Sequence, residues 1–426
     1  MVVAPESLVL DQGAYVQRDV FYSQEVYEQE QERIFRRCWL FLGHESQLSR
    51  PRDFFTTYMG EEPVIVTRDS SGKINALLNT CRHRGMQVCR ADKGNTASFT
   101  CSYHAWTYDT TGALIGVPRF REGYFEEFDR SQWGLIRVAQ VDSYKGLIFG
   151  TFDPDQVPLK EYLGDMAYYL DIVLDRRAGG MEVVDGVQKW IIKSNWKLQA
   201  DNHAGDGYHI PYAHGSNRAL NPALRGGNLP PGTFNPGSLQ VAAELGHTLV
   251  GSYQDAPQPV TGATQSRSNV SEYFNSSLPE AIDRLGPVRS RFRFAAGTVF
   301  PSFGLVPGSH TIRVFHPRGP EKFECWAYCL VDKEAPQEVK RSLAREYILR
   351  FGPTGTFEQD DGENFSRLNS VSRNHMGRGL QMNYAMGQGH DRYHEDLPGM
   401  VSRSSPAELA QRSFYSRWAK EMGIPS

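Results

Sequence analysis

Net charge is nearly absent from this sequence. Its 46 Lys and Arg residues offset 49 Asp and Glu, leaving a formal charge of −3 over 426 residues, and no basic run is interleaved with aromatics. A nucleic acid or an anionic membrane is therefore not an expected partner, because either requires a concentrated basic footprint. Long apolar runs are missing too. No stretch approaches the ~18 apolar residues that span a bilayer, and Met1 to Tyr22 has no basic segment followed by an apolar run. A soluble, cytoplasmic protein is expected. Cysteine is scarce, with six residues in the chain, which excludes a disulfide scaffold. Cys38, Cys89, Cys325 and Cys329 have neighbours typical of strands or buried positions and read as small hydrophobes. Cys81 and Cys101 differ, since a histidine follows each closely. No internal repeat and no low-complexity tract is present.

What remains is ordinary globular material, 40% hydrophobic and 22% charged, in a chain longer than one core usually serves. Residues 1–37 read as an N-terminal segment packing on the later domain. Its amphipathic helix covers Gln24 to Arg37, with Val26, Tyr27, Ile34 and Phe35 on one side. Residues 38–152 carry short β-prone runs (Pro63 to Thr67, Lys73 to Leu78, Leu135 to Val138) separated by turns such as Asp69-Ser70-Ser71-Gly72, which predicts a small antiparallel β domain. A larger domain, 153–426, follows. Leu159 to Leu174 reads as a helix, Met181 to Lys193 as a strand pair, and Asn217 to Gly237 as a long irregular loop. Strand-like runs return at Ser238 to Val250, Phe292 to Phe300 and Thr311 to Val331. From Pro336 to Gly352, Val339, Leu343, Tyr347 and Phe351 recur every four residues, the clearest helix in the chain.

Two constellations carry chemistry. The first is Cys81-Arg82-His83, then seventeen residues, then Cys101-Ser102-Tyr103-His104. Two thiolates and two imidazoles on two loops suit either a structural Cys2His2 zinc site or a Rieske [2Fe–2S] cluster, whose cysteines hold one iron and histidines the other. A zinc finger groups cysteine with cysteine and histidine with histidine, whereas each loop here supplies one of each, which favours the cluster. That ligand set raises the potential from about −400 mV for a plant-type ferredoxin to roughly −150 mV or above.

The second is Asn195 to His214. Its first half suits a helix on which Asn202, Asp206 and His209 share a face, and Pro211 is expected to end that helix. On a continuous helix His209 and His214 would point about 140° apart; a break at Pro211 brings them together. Two converging imidazoles suit Zn, Cu, Ni or Fe(II), and the third ligand decides. The acid-dense Thr356 to Asn364 is the best place for a carboxylate, although such a segment is usually a solvated turn.

Both constellations, their order and the Asp360-Asp361-Gly362-Glu363-Asn364 run resemble the large (α) subunit of Rieske non-haem iron aromatic-ring-hydroxylating dioxygenases, in particular the biphenyl, toluene and polycyclic hydrocarbon group. The resemblance runs from about Gln29 to the C-terminal region. It implies an α+β fold, with an antiparallel β Rieske domain followed by a catalytic domain whose antiparallel sheet is flanked by helices, helix-grip-like. Carried over, it makes Cys81, His83, Cys101 and His104 cluster ligands, with Ala105 where many relatives have glycine. It makes His209, His214 and Asp361 ligands of a mononuclear Fe(II), and Asp360 the rival carboxylate or the group that orients a ligand histidine. It gives Asp206 the role of bridging to the cluster of a neighbouring subunit and points Asn202 at the iron without a tight bond. His203 stands where relatives often carry phenylalanine and is a pocket residue, a rival ligand or a packed ring, with pocket or packing the favoured readings. Phe300, Phe303, Phe351 and Phe357 are the candidate pocket aromatics, each equally at home in a plain core.

The resemblance further implies a terminal oxygenase. Electrons from NADH arrive through a separate reductase and ferredoxin, and both atoms of O2 are added to an aromatic ring to give a cis-dihydrodiol. The sequence has neither G-x-G-x-x-G nor a plant-type cysteine run, so the nicotinamide and flavin steps belong to other proteins. An α3 or α3β3 assembly with a small β subunit is implied. Rival readings are a Rieske monooxygenase (hydroxylase or demethylase), a dioxygenase of aromatic carboxylates, and, of another class, a zinc-stabilised binding protein or electron carrier. No arginine stands out as a carboxylate clamp, which favours a neutral hydrocarbon, with Arg218, Arg225 and Arg293 as the alternatives.

Overall fold

The computed structural model describes residues 8–215, 237–259, 268–404 and 406–424. The expected loop from Asn217, with Arg218 and Arg225, lies outside the described residues up to Gly237. The chain divides into two compact units. Phe35–Leu159 forms one, and the other joins the described residues up to Ile34 with those from Lys160 onward.

In the first unit, β-branched and aromatic runs punctuated by Gly and Asp turns fold into three small antiparallel sheets. Glu62–Arg68 lies between Ile74–Leu78 and Asp53–Met59, which also pairs with Lys93–Asn95; Thr107–Asp109 lies between Ser98–Thr100 and Leu114–Gly116; Leu147–Thr151 lies between Gln140–Tyr144 and Leu40–His44. Phe54, Ile65, Leu77, Phe99, Trp106 and Tyr108 form a core that also buries Cys81 and Cys101. Leu135 to Val138 is not a strand. Its Leu135 N–H bonds the Gly112 carbonyl and its Val138 N–H the Ala76 carbonyl, so the run makes single contacts and one isolated bridge, Leu77 to Arg137.

The second unit is built on a nine-stranded antiparallel sheet. From edge to edge it runs Met181–Ile192, Phe323–Asp332, Thr311–Pro317, Phe303–Val306, Phe292–Val299, Thr248–Tyr253, Ser238–Ala242, Met400–Val401 and Arg392–Tyr393. Met181 to Lys193 is thus one bulged strand and not a pair. Gly186 (φ +105) sits at the register shift between Val184 and Gln188, so the Asp185-Gly186 step makes a bulge within one strand and does not separate two. Ser238 to Val250 breaks at a turn where Leu245 and Gly246 take φ of +59 and +75. The helix expected over Leu159 to Leu174 breaks at Gly164, giving Leu159–Leu163 and Met166–Leu174. The entry helix is α-helical over Gln24–Glu30 and continues as a π turn. Gln337–Phe351 forms as its four-residue repeat demands, and Thr356–Ser372 follows, so the acid-dense run is helical rather than a turn.

The helix Trp196–Gly205 is buried along its whole length although half of it is polar. Such a helix is stable only if its polar groups find partners. Lys197 Nζ bonds Glu30 of the entry helix, and both side chains are fully buried. The indoles of Trp196 and Trp418 donate to the same carboxylate at 2.9 and 2.8 Å. Glu30 therefore ties the entry helix to Trp196–Gly205 and to the C-terminal helix Leu409–Met422. Lys197→Met leaves that carboxylate charged and buried without its cation, which costs about 3–5 kcal/mol. The urea midpoint of this unit should fall accordingly. An unchanged midpoint would contradict the role given to the pair.

Candidate metal centres

The first centre lies on two matched loops. Cys81 and Cys101 each accept, at 2.9 Å, the N–H of the residue four positions on, Gly85 and Ala105. Gly85 and Ala105 both adopt left-handed φ, +73 and +56. A Cβ in that region costs roughly 1–2 kcal/mol, so Ala105 carries a small strain that glycine would not. Tyr108 Oη lies 3.3 Å from Cys81 Sγ and accepts the Arg82 N–H at 3.1 Å, pinning the first loop. His83 and His104 meet edge to face at 4.5 Å, and His83 stacks on Trp106 at 5.0 Å. Burial, then the His104 and Arg84 charges, lower the pKa of His83 and keep the ring neutral, as a ligand must be. The Nδ1 atoms of both histidines are buried with no hydrogen-bond partner among the described residues. Two buried thiols beside two orphaned imidazole nitrogens fit a cluster ligated through Nδ1 on one iron and Sγ on the other. They do not gather as a single-ion zinc site would: among the described residues, the His/Cys/Asp/Glu group whose donor atoms all lie within 4.8 Å of one another is a different one, His209, His214 and Asp361.

That trio forms the second centre. The helix expected to run on to Pro211 stops at Gly205 (φ +149), where a Cβ would press on Ala410 and on the Leu249 backbone. Asp206 is its C-cap, and Pro211 starts a second short helix, Ile210–Ala213, instead of ending the first. His209 and His214 flank this turn. Their Nε2 atoms are 3.2 Å apart, and Asp361 Oδ1 lies 3.4 Å from the first and 3.3 Å from the second. A point equidistant from the corners of that triangle is about 1.9 Å from each, close to the ~2.0–2.2 Å of metal–nitrogen and metal–carboxylate bonds. The outer nitrogens are held. His214 Nδ1 is 3.1 Å from Asp360 Oδ2, while His209 Nδ1 lies against the Asp206 carbonyl and 3.2 Å from its Oδ2. Holding Nδ1–H this way turns both Nε2 lone pairs inward.

The electrostatics call for a cation. Burial alone would lower the pKa of His209, but hydrogen bonds and charge from Asp206 and Asp361 override it and push the ring up to about 10. Burial would raise Asp361, yet the two imidazoles hold it well below the usual carboxylate range. Three carboxylates around two imidazoles thus draw in positive charge that a divalent ion supplies.

The remaining candidates are distributed unevenly. Asn202 Nδ2 is 3.3 Å from His209 Nε2. Phe357 meets the His214 ring edge-on at 4.8 Å, and Phe351 stacks behind it at 5.4 Å, both half-buried. Phe300 and Phe303 are buried; the Phe300 ring packs on Phe414. His203 is buried against Phe315 at 5.2 Å, its Nδ1 3.2 Å from the Gln199 carbonyl, in space left by Gly304, where a Cβ would come within 2.8 Å of the ring. Burial pushes its pKa down to about 3, so it is neutral. Arg293 is exposed and lines a cavity to which none of the trio contributes.

Two supports escaped the sequence reading. Arg313, fully buried, pairs with Glu358 at 2.6 Å and donates to the Phe351 carbonyl at 2.9 Å; Trp190 donates to Glu358. Glu358 is one helical turn before Asp361, so the pair locks the carboxylate helix. A lone arginine in the apolar run Thr311–Pro317 was the available signal. Asp201 accepts from Tyr415 at 2.6 Å and Tyr384 at 3.0 Å, and burial pushes it up to about 7. Nothing in the sequence marked those distant tyrosines.

Residues 38–144 match the family model of the Rieske [2Fe-2S] domain, and residues 159–424 match that of the ring hydroxylating alpha subunit (catalytic domain). The chain is 38% identical to benzene 1,2-dioxygenase subunit alpha of Pseudomonas putida over 99% of its own length and 94% of the relative's. It is 40% identical to biphenyl 2,3-dioxygenase subunit alpha of Rhodococcus jostii, covering 95% and 88%. The structure of naphthalene 1,2-dioxygenase with indole bound in the active site superposes with a TM-score of 0.90 at 31% identity, over 97% of this chain and 93% of that one.

Proposed function

This chain belongs to the family of Rieske aromatic-ring-hydroxylating dioxygenase α subunits, and from that premise we propose how its residues divide the work. It is a terminal oxygenase component that adds both atoms of O2 to an aromatic ring to give a cis-dihydrodiol, drawing electrons from separate electron-transfer partners. When bound, the [2Fe–2S] cluster supplies single electrons and the mononuclear Fe(II) activates O2. Cys81 and Cys101 hold one cluster iron, His83 and His104 the other. His209, His214 and Asp361 hold the Fe(II), and the observation that carries this reading is their donor triangle of 3.2 to 3.4 Å. Asp360 and Asp206 orient His214 and His209 through Nδ1. Asn202 lies at the edge of the triangle without joining it.

Asp206 bridges to the cluster of a neighbouring copy, so the working unit is a trimer, α3 or α3β3 with a small β subunit, in the cytoplasm. NADH serves it through a reductase and ferredoxin. No helix among the described residues is long and apolar enough to cross a membrane. The substrate is a neutral arene, supported by the half-buried Phe357 beside His214 with Phe351 stacked on it, and by exposed Arg293 lining a cavity to which none of the trio contributes. Turnover of benzene, biphenyl and naphthalene under 18O2 with surrogate redox partners is expected to place two labelled atoms in each diol. One labelled atom per product would overturn the dioxygenase assignment.

A further inference from the structure

Between Met166–Leu174 and the start of strand Phe292–Val299 lies a cavity of about 30 Å3, lined by Ile172, Val173, Arg176, Ser290, Arg291, Phe292, Arg293, Phe294 and Pro307, with Gln258 and Pro259 at one side. Three of its lining residues are arginines and none is acidic. Arg176 is only 6% exposed and Ser290 only 9%. Arg176 Nη2 and Ser290 Oγ have no hydrogen-bond partner among the described residues. The carboxylate acting most strongly on Arg176, Asp332, shares with it the lining of a neighbouring cavity and accepts a hydrogen bond from the Tyr273 hydroxyl. Arg291 is engaged elsewhere, its Nε donating to the Gln254 carbonyl and its guanidinium lying over the Tyr253 ring.

A desolvated guanidinium and a desolvated hydroxyl without partners among the described residues are both costly, and both residues line this one cavity, whose lining has no acidic side chain. We propose that this cavity binds the head group of a small organic carboxylate, with Arg176 and Ser290 donating to its oxygens. One water needs about 10–15 Å3 measured this way, so the space holds a group the size of two waters, as a carboxylate is. The surrounding Ile172, Val173, Phe292, Phe294 and Pro307 are apolar and do not suit a fully hydrated inorganic anion. Burial pulls the Arg176 pKa down to about 10, which leaves it charged at neutral pH.

The test uses the purified holoenzyme at fixed ionic strength, titrated with sodium acetate, sodium benzoate or sodium phosphate and followed by calorimetry and by the thermal midpoint. Saturable binding of acetate or benzoate is expected, weakened at least tenfold in Arg176→Met and several-fold in Ser290→Ala, a milder deletion should the first variant not fold. Carboxylate binding that persists in both variants lies elsewhere, at the metal centre for instance, and overturns the site. Saturation by phosphate alone overturns the carboxylate assignment, and the absence of any saturable response overturns the proposal.

Discussion

Asp361→Ala protein is expected to keep its [2Fe–2S] cluster, lose the mononuclear iron, and make product at least ~10³-fold more slowly, since the metal contributes several kcal/mol to the chemical step. Asp361 supplies the charged corner of the donor triangle, is 4% exposed, and lies 3.3 and 3.4 Å from both imidazole nitrogens. Asp360 touches His214 from the outside, so Asp360→Ala should weaken iron binding by about 10–100-fold while excess iron restores turnover. If Asp360→Ala were the variant that could not be rescued, the two carboxylates would have to exchange roles.

Asp206→Asn should leave both metal sites filled and still suppress product formation by about 10²–10⁴-fold, the range in which a hydrogen-bonded proton or charge link matters. The asparagine oxygen can still accept the His209 N–H, as Asp206 Oδ1 does at 3.1 Å. Its amide would meet Nδ1–H donor to donor and carries no charge. The discriminating readout is a single turnover: a reduced cluster that stays reduced when substrate and O2 are added supports the bridge, whereas near-normal turnover removes Asp206 from electron transfer and leaves it a helix cap.

The parts legible in the sequence were those with short, rigid spacing. Cys81-x-His83 and Cys101-x2-His104 are set by tight loops whose fifth residues, Gly85 and Ala105, take the left-handed turn. The helix Gln337–Phe351 declares itself by its repeat and its flanking Pro and Gly. What failed was local geometry that tertiary contacts decide. Pro211 opens a helix because Gly205 has already closed the previous one against Ala410. Ser268–Arg289 forms a helix whose sequence signal is interrupted by Pro279, Pro287 and the kink at Gly286. The helix Trp196–Gly205 forms where the sequence suits one, but its burial was not legible, because it has no apolar face to detect. Its burial depends on Glu30, Tyr384, Gln411 and Tyr415, which approach from both ends of the chain. Polar residues that the core must satisfy individually leave no periodic trace.

The most direct test of two cooperating iron centres in one chain is metal and acid-labile sulfide analysis of the purified protein, with electron paramagnetic resonance of the dithionite-reduced sample. About three irons and about two sulfides per chain are expected, with a Rieske-type signal from the reduced cluster. Zinc without sulfide would contradict the account at its root.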